Sequence, residues 1–274
     1  MCIRDSGLTP QKKTKTGYST DAQSLEKMRT EHPIVEDLLQ YREVEKLRST
    51  YGEGLLAEVG EGNRIRATFQ QTVARTGRLS SDQPNLHNIP VRSERGRVFR
   101  TAFVAPEGHK FLIADYDQIE LRCIAHLAED PGLIGAFEAG DDIHTATAAA
   151  VFDIAPEDVH VEERSKAKMV SYGLAYGMEA YGLAQRLNIP VPEASEILES
   201  YFAAFPAVKQ YMEDTVELAR ERGYTETLFG RRRQIPELSS NNRQIRQAGE
   251  RQAMNAGIQG LAADIFKVAI VNLD

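Results

Sequence analysis

Apolar residues recur every three or four positions through most of this chain, and that spacing predicts a helical protein. Ile34, Leu38, Tyr41, Val44, Leu47 and Tyr51 share one face of a helix that starts at Pro33 and is expected to stop at Gly52 and Gly54. A shorter helix before it starts from Ser19-Thr20-Asp21, residue types whose side chains cap helix N-termini. Further helices are expected over 118–127, 143–151, 163–187, 193–204 and 207–222, the last opened by Pro206 and closed by Gly223. Residues 242–257 and 260–273 read as two more. Loose alternation over 63–76 predicts a strand, as do the apolar runs 98–104 and 109–114 on either side of Pro106-Glu-Gly108. Residues 77–90 read as loop, and 224–236 as a hairpin turning at Gly230. The fold class is therefore α+β and helix-rich, with antiparallel strands. No internal repeat is visible.

One predicted helix carries a second pattern. In Arg164-Ser-Lys-Ala-Lys-Met-Val-Ser-Tyr-Gly-Leu-Ala-Tyr-Gly177, the residues Arg164, Lys168, Tyr172 and Tyr176 recur every four positions. Each step drifts about 40° around the helix, so the four form one slowly winding stripe about 18 Å long. Two cations precede two rings. Cations suit phosphates, and rings suit a sugar or base, so the stripe has the order of a nucleotide triphosphate. Gly173 and Gly177 are expected to let a flat partner approach the backbone. The spacing alone equally describes a partly exposed helix face.

Composition narrows the classes. The chain has 274 residues, 42% hydrophobic and 27% charged, which is a globular composition large enough for more than one subdomain. No apolar run approaches a membrane span, and no signal-peptide pattern is present, so no membrane partner is expected. Two cysteines, Cys2 and Cys123, form no disulfide framework, which fits a reducing, cytoplasmic location. Cys123 reads as a buried thiol. The net charge of −7 argues weakly against nucleic acid, yet Arg92, Arg95, Arg97 and Arg100 cluster, as do Arg231, Arg232 and Arg233. An acidic protein with basic grooves would still bind phosphate backbones.

The apolar run ending in Phe111-Leu-Ile-Ala-Asp115 puts a carboxylate where a strand would hold it rigidly. Asp115, with the backbone carbonyl of Tyr116, suits a hard divalent cation. Asp115 could equally cap the helix that follows. No glycine-rich phosphate loop of the Walker or dinucleotide type occurs, so phosphate binding falls to side-chain cations and metal.

Asp115-Tyr-Asp-Gln-Ile-Glu-Leu-Arg122 resembles the first polymerase motif of family A DNA polymerases, the bacterial DNA polymerase I group. The segment from Arg164 to Gly177 resembles their nucleotide-binding fingers helix. Thr76-Gly-Arg-Leu-Ser-Ser81 and Asn85-Leu-His-Asn-Ile-Pro90 resemble the template-primer segment, and Asp142-Ile-His-Thr145, Gly230-Arg-Arg-Arg233 and Asn255-Ala-Gly-Ile-Gln-Gly260 match in the family's order. The resemblance runs from about residue 10 to the end.

It implies a thumb–palm–fingers architecture with an antiparallel palm sheet. Residues 1–9 are an unassigned leader. A partial thumb spans 10–65, the first part of the palm 66–130, the fingers 131–244, and a return to the palm 245–274. The implied activity is template-directed DNA synthesis in replication and repair. A primer 3′-hydroxyl is extended with dNTPs by a monomeric enzyme that uses two Mg²⁺ ions.

The implied roles follow position by position. Asp115 and the Tyr116 carbonyl hold metal. His144, Arg164 and Lys168 contact the triphosphate, with Lys168 also the general acid for pyrophosphate. Gln118 joins the nucleotide site, and Glu120 crowds a ribose 2′-hydroxyl as a sugar gate. Tyr172 stands where many relatives carry Phe, and its hydroxyl can replace the missing 3′-hydroxyl of a dideoxynucleotide. Tyr176 stacks on the template base. Arg78, Gln71, Asn85, Asn88, Arg251, Asn255 and Gln259 line the primer-template, whose minor groove offers acceptors common to every base pair. Lys15 and Thr16 grip duplex backbone.

Two departures matter. Asp117 replaces the family's more usual Ser. The family's third motif, a His-Asp-Glu hairpin with a second metal carboxylate, has no counterpart up to Asp274. The chain by itself is therefore expected to bind DNA and dNTP with little turnover. A single-subunit RNA polymerase and a non-catalytic DNA-binding module are the rival readings. Glu120 within Gln118-Ile-Glu-Leu-Arg122 argues against the former.

Overall fold

The structure, a computed structural model, describes residues 7–9, 12–15, 17–91 and 93–273. Thr16 lies outside these residues. The chain forms two compact units, Met1–Gln70 with Ser80–Leu112, and Gln71–Leu79 with Ile113–Asp274.

The first unit opens with a short antiparallel pair, β1 (Lys13–Thr14) and β2 (Gly17–Tyr18). Helix α1 (Ala22–Lys27) follows, and the Asp21 carboxylate accepts from Ser24 N–H at 2.7 Å to cap it, as expected. Helix α2 (Pro33–Lys46) runs through wide turns at Leu47–Glu53 into α3 (Gly54–Ala57). Gly52 and Gly54 therefore do not end the helix. A Cβ on Gly54 would sit 2.9 Å from the Ser49 carbonyl, so this glycine serves close approach within the wide turn. Strands β3 (Val59–Gly60) and β4 (Arg64–Ile65) pair antiparallel, as do β5 (Thr68–Gln70) and β6 (Ser80–Asp82). Leu47, Tyr51 and Leu55 pack with Ile65, Leu86, Phe99 and Phe103. The Tyr51 hydroxyl donates to the Asn88 carbonyl, which ties the 85–90 loop to the helix.

The two apolar runs expected as strands behave otherwise. Residues 94–100 form helix α4 (Glu94–Arg100), because Ser93 Oγ accepts from Gly96 N–H at 3.1 Å and caps it. Residues 109–114 are extended but join no ladder among the described residues. A strand needs a neighbour's N–H and C=O groups, and without one Ile113 stands 90% exposed.

The second unit is helical. It comprises α5 (Ile119–Ala128), α6 (Pro131–Ala139), α7 (Ile143–Phe152), α8 (Val161–Ala175), α9 (Ala180–Leu187), α10 (Val191–Ala204), α11 (Pro206–Arg222) and α12 (Arg243–Leu273). Between α11 and α12, β7 (Tyr224–Glu226) and β8 (Arg232–Gln234) make the expected hairpin, with Gly230 at φ +78° in its turn. Leu121, Ile124, Leu133, Ile143, Val170, Leu174, Leu183, Tyr201, Val208 and Ile258 form one core. Each comes from the apolar face of its helix, so burial follows the sequence period.

Two expectations are corrected here. Residues 163–187 are not one helix. Gly177 adopts φ +65°, and Met178 N–H returns to the Gly173 carbonyl at 2.9 Å, a left-handed C-terminal cap that ends α8. Conversely, 243–273 is one helix, because Tyr211, Thr227 and Arg231 occupy the space beside Gly257 and Gly260. Neighbours that need that space keep these glycines inside the helix. This 31-residue helix is long and apolar enough to cross a membrane by length and composition, contrary to expectation, but half of its most apolar window is buried in the protein.

Candidate active site

Helices α7 and α8 pack face to face, α7 through Ile143, His144, Thr147, Ala148 and Val151, and α8 through Ala167, Val170, Ser171 and Leu174. With that face inward, the stripe of α8 lies along its accessible side. Lys168 is exposed, Arg164 and Tyr172 are half-buried, and Tyr176 at the helix end is exposed. The expected order of two cations and two rings is thus present in three dimensions.

Each stripe residue has a defined setting. Arg164 donates to Asp142 through both Nε (3.1 Å) and Nη2 (2.6 Å). Asp142 at the same time caps α7, accepting from Thr145 N–H at 2.8 Å. The Arg164 hydrogen bonds, with the α7 cap, hold the Asp142 carboxyl well below the usual carboxylate range. Lys168 has no salt-bridge partner among the described residues, and its charge is felt by His144. The His144 ring lies 5.7 Å from that of Tyr172, centroid to centroid. Burial pushes its imidazole down, only partly opposed by Asp142. Its Nδ1 is buried with no hydrogen-bond partner among the described residues. Burial pushes the Tyr172 phenol up, reinforced by Glu120, Asp117, Tyr176 and Asp115, so its hydroxyl keeps its proton and can donate.

Three of these groups, Asp115, Asp117 and Glu120, lie on the segment that leads into α5 and in its first turn. Asp115 and Tyr116 are exposed on the extended segment before α5. Gln118 takes φ +55°, a left-handed conformation costly for a non-glycine residue, and starts α5 so that Glu120 falls in its first turn. Arg122 Nε donates to the Asp117 carbonyl at 3.1 Å and steadies this turn. Asp117 is exposed, and its charge is felt by both His144 and Tyr172.

Arg78 closes the end of the stripe. Its Nη2 donates to the Glu120 carboxylate and, at 3.1 Å, to the Tyr176 hydroxyl. Burial pulls this guanidinium down, but Tyr176 and Glu120 outweigh it and the net shift is upward. Glu120, Arg78 and Tyr176 therefore form one hydrogen-bonded group. Beside it, Arg251 Nη1 lies 3.1 Å from Glu179 Oε1, and the buried Gln259 donates to the Ala175 carbonyl at 3.3 Å. Asn255 presents a buried Oδ1 with no partner among the described residues. Gln71 is exposed on the 71–79 segment, whereas Lys15, Asn85 and Asn88 are exposed in the first unit.

One expectation about the glycines fails. The space beside Gly173 is filled by Met178, whose Sδ would be 3.2 Å from an added Cβ. The space beside Gly177 is filled by Asn255, whose Nδ2 would be 2.7 Å away. These glycines bring protein close to the stripe, and no flat ligand can use that room. Periodicity had no access to Asp142 as the partner of Arg164, or to the pairing of the half-buried Arg231 with the buried Asp264. The only signal for either was a charged residue inside a motif.

Asp115 and the Tyr116 carbonyl are hard oxygen donors of the kind Mg²⁺ prefers, and both are accessible. Among the described residues, no three His, Cys, Asp or Glu side chains converge at metal-binding distances. Asp115 fits as one anchor, and a pair of ions needs donors beyond these. Cys123 is buried, and burial pushes its thiol up to about 11, which removes it as a nucleophile.

Comparison with known proteins agrees with this geometry. A family model described as DNA polymerase family A matches residues 2–274. DNA polymerase I of Mycobacterium tuberculosis (strain ATCC 25618 / H37Rv) is 50% identical over 271 residues, covering 98% of this chain and 30% of the relative. DNA polymerase I of Geobacillus stearothermophilus is 52% identical over 264 residues, covering 96% of this chain and 30% of the relative. The solved structure described as the POL domain of Pol1 from M. smegmatis in complex with DNA primer-template and dNTP superposes with a TM-score of 0.90 at 50% identity. That match covers 97% of this chain and 47% of the other. The chain thus spans about 30% of the length of these curated relatives.

Proposed function

The chain belongs to DNA polymerase family A, and from that premise we propose that it supplies the nucleotide-binding and primer-terminus portion of a template-directed DNA polymerase acting in replication and repair. The observation that carries this reading is the α8 stripe, with His144 packed on Tyr172 and with Glu120 and Arg78 at its end. The single-subunit RNA polymerase alternative is not favoured, since the relatives are DNA polymerases and Glu120 occupies the sugar-gate position.

In this reading residues 10–65 are thumb, 66–130 and 245–274 palm, and 131–244 fingers. The incoming dNTP lies along α8 with its phosphates at Arg164 and Lys168. Arg164 must exchange Asp142 for phosphate. A half-exposed ion pair is worth about 0–1 kcal/mol, so a triphosphate with several charges displaces it readily. Lys168 has no ion-pair partner among the described residues, and the neutral His144 adds a hydrogen bond without further charge. Glu120, held by Arg78, excludes a 2′-hydroxyl, and Tyr172 faces the 3′ position. Tyr176 leaves Arg78 when the template base enters, and Arg78 then meets the primer terminus. Asp115 and the Tyr116 carbonyl would anchor Mg²⁺, which when bound lowers the barrier to attack by the primer hydroxyl and stabilises pyrophosphate.

The test is fluorescence anisotropy of a labelled primer-template with the chain, Mg²⁺ and each dNTP. The complementary dNTP should tighten binding, the three others should not, and affinity should fall steeply with salt. Equal effects of all four nucleotides would sink the reading. Primer extension in the same samples measures turnover directly.

A further inference from the structure

The three consecutive arginines after Gly230 part company. Arg232 Nε pairs with Glu226 at 2.5 Å on the surface, and Arg233 Nη2 donates to Gln252 at 2.7 Å. Arg231 turns inward. Its Nε donates to Asp264 Oδ1 at 2.8 Å and its Nη2 to the Gly260 carbonyl at 2.9 Å, both on α12. Asp264 is buried, and its other oxygen accepts from the Thr227 hydroxyl at 2.6 Å. The same hydroxyl accepts from Arg231 N–H at 3.3 Å. Both oxygens of Asp264 are thus used, and the guanidinium plane is fixed at Nε and Nη2.

Two glycines lie against that guanidinium, Gly77 over its face and Gly260 at its Nη2 edge. A Cβ on Gly260 would lie 2.7 Å from Nη2, and a Cβ on Gly77 would lie 2.6 Å from Nη1 and 2.7 Å from Nη2. Gly77 is buried, sits at φ +82° and donates to the Ala74 carbonyl at 2.8 Å. The turn carrying Gly77 therefore rests directly on Arg231. The next residue is Arg78, which reaches Glu120 and Tyr176.

We propose that Arg231, clamped by Asp264, is a positioning residue that sets the reach of Arg78 and so transmits the placement of α12 to the primer-terminus site. Arg231 is engaged by Asp264, the Gly260 carbonyl and Thr227, and the proposal rests on the assignment of Arg78 to the primer terminus. A planar, doubly anchored cation suits the task, because Lys could keep the charge on Asp264 but not the flat surface under Gly77.

The test uses the 274-residue chain, unaltered and as Arg231→Lys, Arg78→Ala and the double variant. Affinity for primer-templates with a matched or mismatched primer end is compared by anisotropy. The unaltered chain should prefer the matched end, and each single change should cut that preference by about fivefold or more, which is about 1 kcal/mol. The double variant should be no worse than Arg78→Ala, because Arg231 acts through Arg78. An unchanged preference in Arg231→Lys, or additive losses in the double variant, would overturn the proposal. If Arg78→Ala leaves the preference intact, the assignment of Arg78 is wrong, and hydrogen exchange then decides the positioning step alone. In Arg231→Lys the amides of 76–78 should exchange about tenfold faster while those of α7 and α8 hold. Equal acceleration of all three would reduce Arg231 to a general structural role. Should Arg231→Lys melt below the assay temperature, Asp264→Asn removes the clamping charge and is scored in the same way.

Discussion

Arg164 grips both carboxylate oxygens of Asp142, the residue that caps the neighbouring helix α7. The cation expected to hold a triphosphate is thus parked on an internal carboxylate. Asp142→Asn keeps a side chain able to cap α7 but removes the charge that holds Arg164. Nucleotide-dependent tightening of primer-template binding should improve up to about fivefold, the upper end for a half-exposed ion pair. Arg164→Ala should weaken it about tenfold or more, since a charge-assisted hydrogen bond is lost. Anisotropy titrations with the complementary dNTP check both.

Tyr172 carries a phenol whose proton is held by burial and by nearby acids. In a polymerase carrying this segment, Tyr172→Phe should lower dideoxy incorporation relative to deoxy by about tenfold, the upper range for one neutral hydrogen bond. Single-nucleotide extension kinetics give the ratio. An unchanged ratio would show that the hydroxyl does not face the 3′ position.

His144 gives the protein a pH dependence of known sign. Its pKa is depressed by burial, so between that value and the ordinary imidazole value of about 6.5 the unfolded chain binds more protons than the folded one. Stability contributed here is present above the ordinary value and is lost as pH falls toward the depressed one. Urea denaturation at pH 7.5 and pH 5.5 should show a loss that His144→Gln reduces. The His144 ring resonances should titrate below the ordinary range by NMR.

Gly177 combines a left-handed φ of +65° with an Asn255 atom where a Cβ would go. Gly177→Ala should therefore cost about 2 kcal/mol or more, and lower Tm by roughly 4–8 °C. Gly140, at φ +75° with nothing within 4 Å, is the control. Gly140→Ala should show the backbone cost alone, about 1–2 kcal/mol. Differential scanning calorimetry of the two variants separates strain from clash.

Local chemistry was legible in the sequence wherever a residue's own neighbours decide its state. The cap at Asp21 follows from a short-range hydrogen bond of its own carboxylate. The helix periods, the hairpin turn at Gly230 and the α8 stripe follow in the same way. The family resemblance rested on such segments too, because a motif is a run of contiguous residues.

What only the tertiary structure decided concerns pairs distant in the chain. Residues 109–114 joined no ladder among the described residues for want of a partner strand. Gly257 and Gly260 stayed inside one helix because Tyr211, Thr227 and Arg231 filled the space they leave. Asp142 came to hold Arg164 from 22 residues away, and Arg231 came to hold Gly77 against α12. A charge has no preferred partner until packing sets which opposite charge is within reach and how much water remains between them. The sequence by itself determined which cations and rings line the α8 stripe; packing decided which of them are already engaged, and by what.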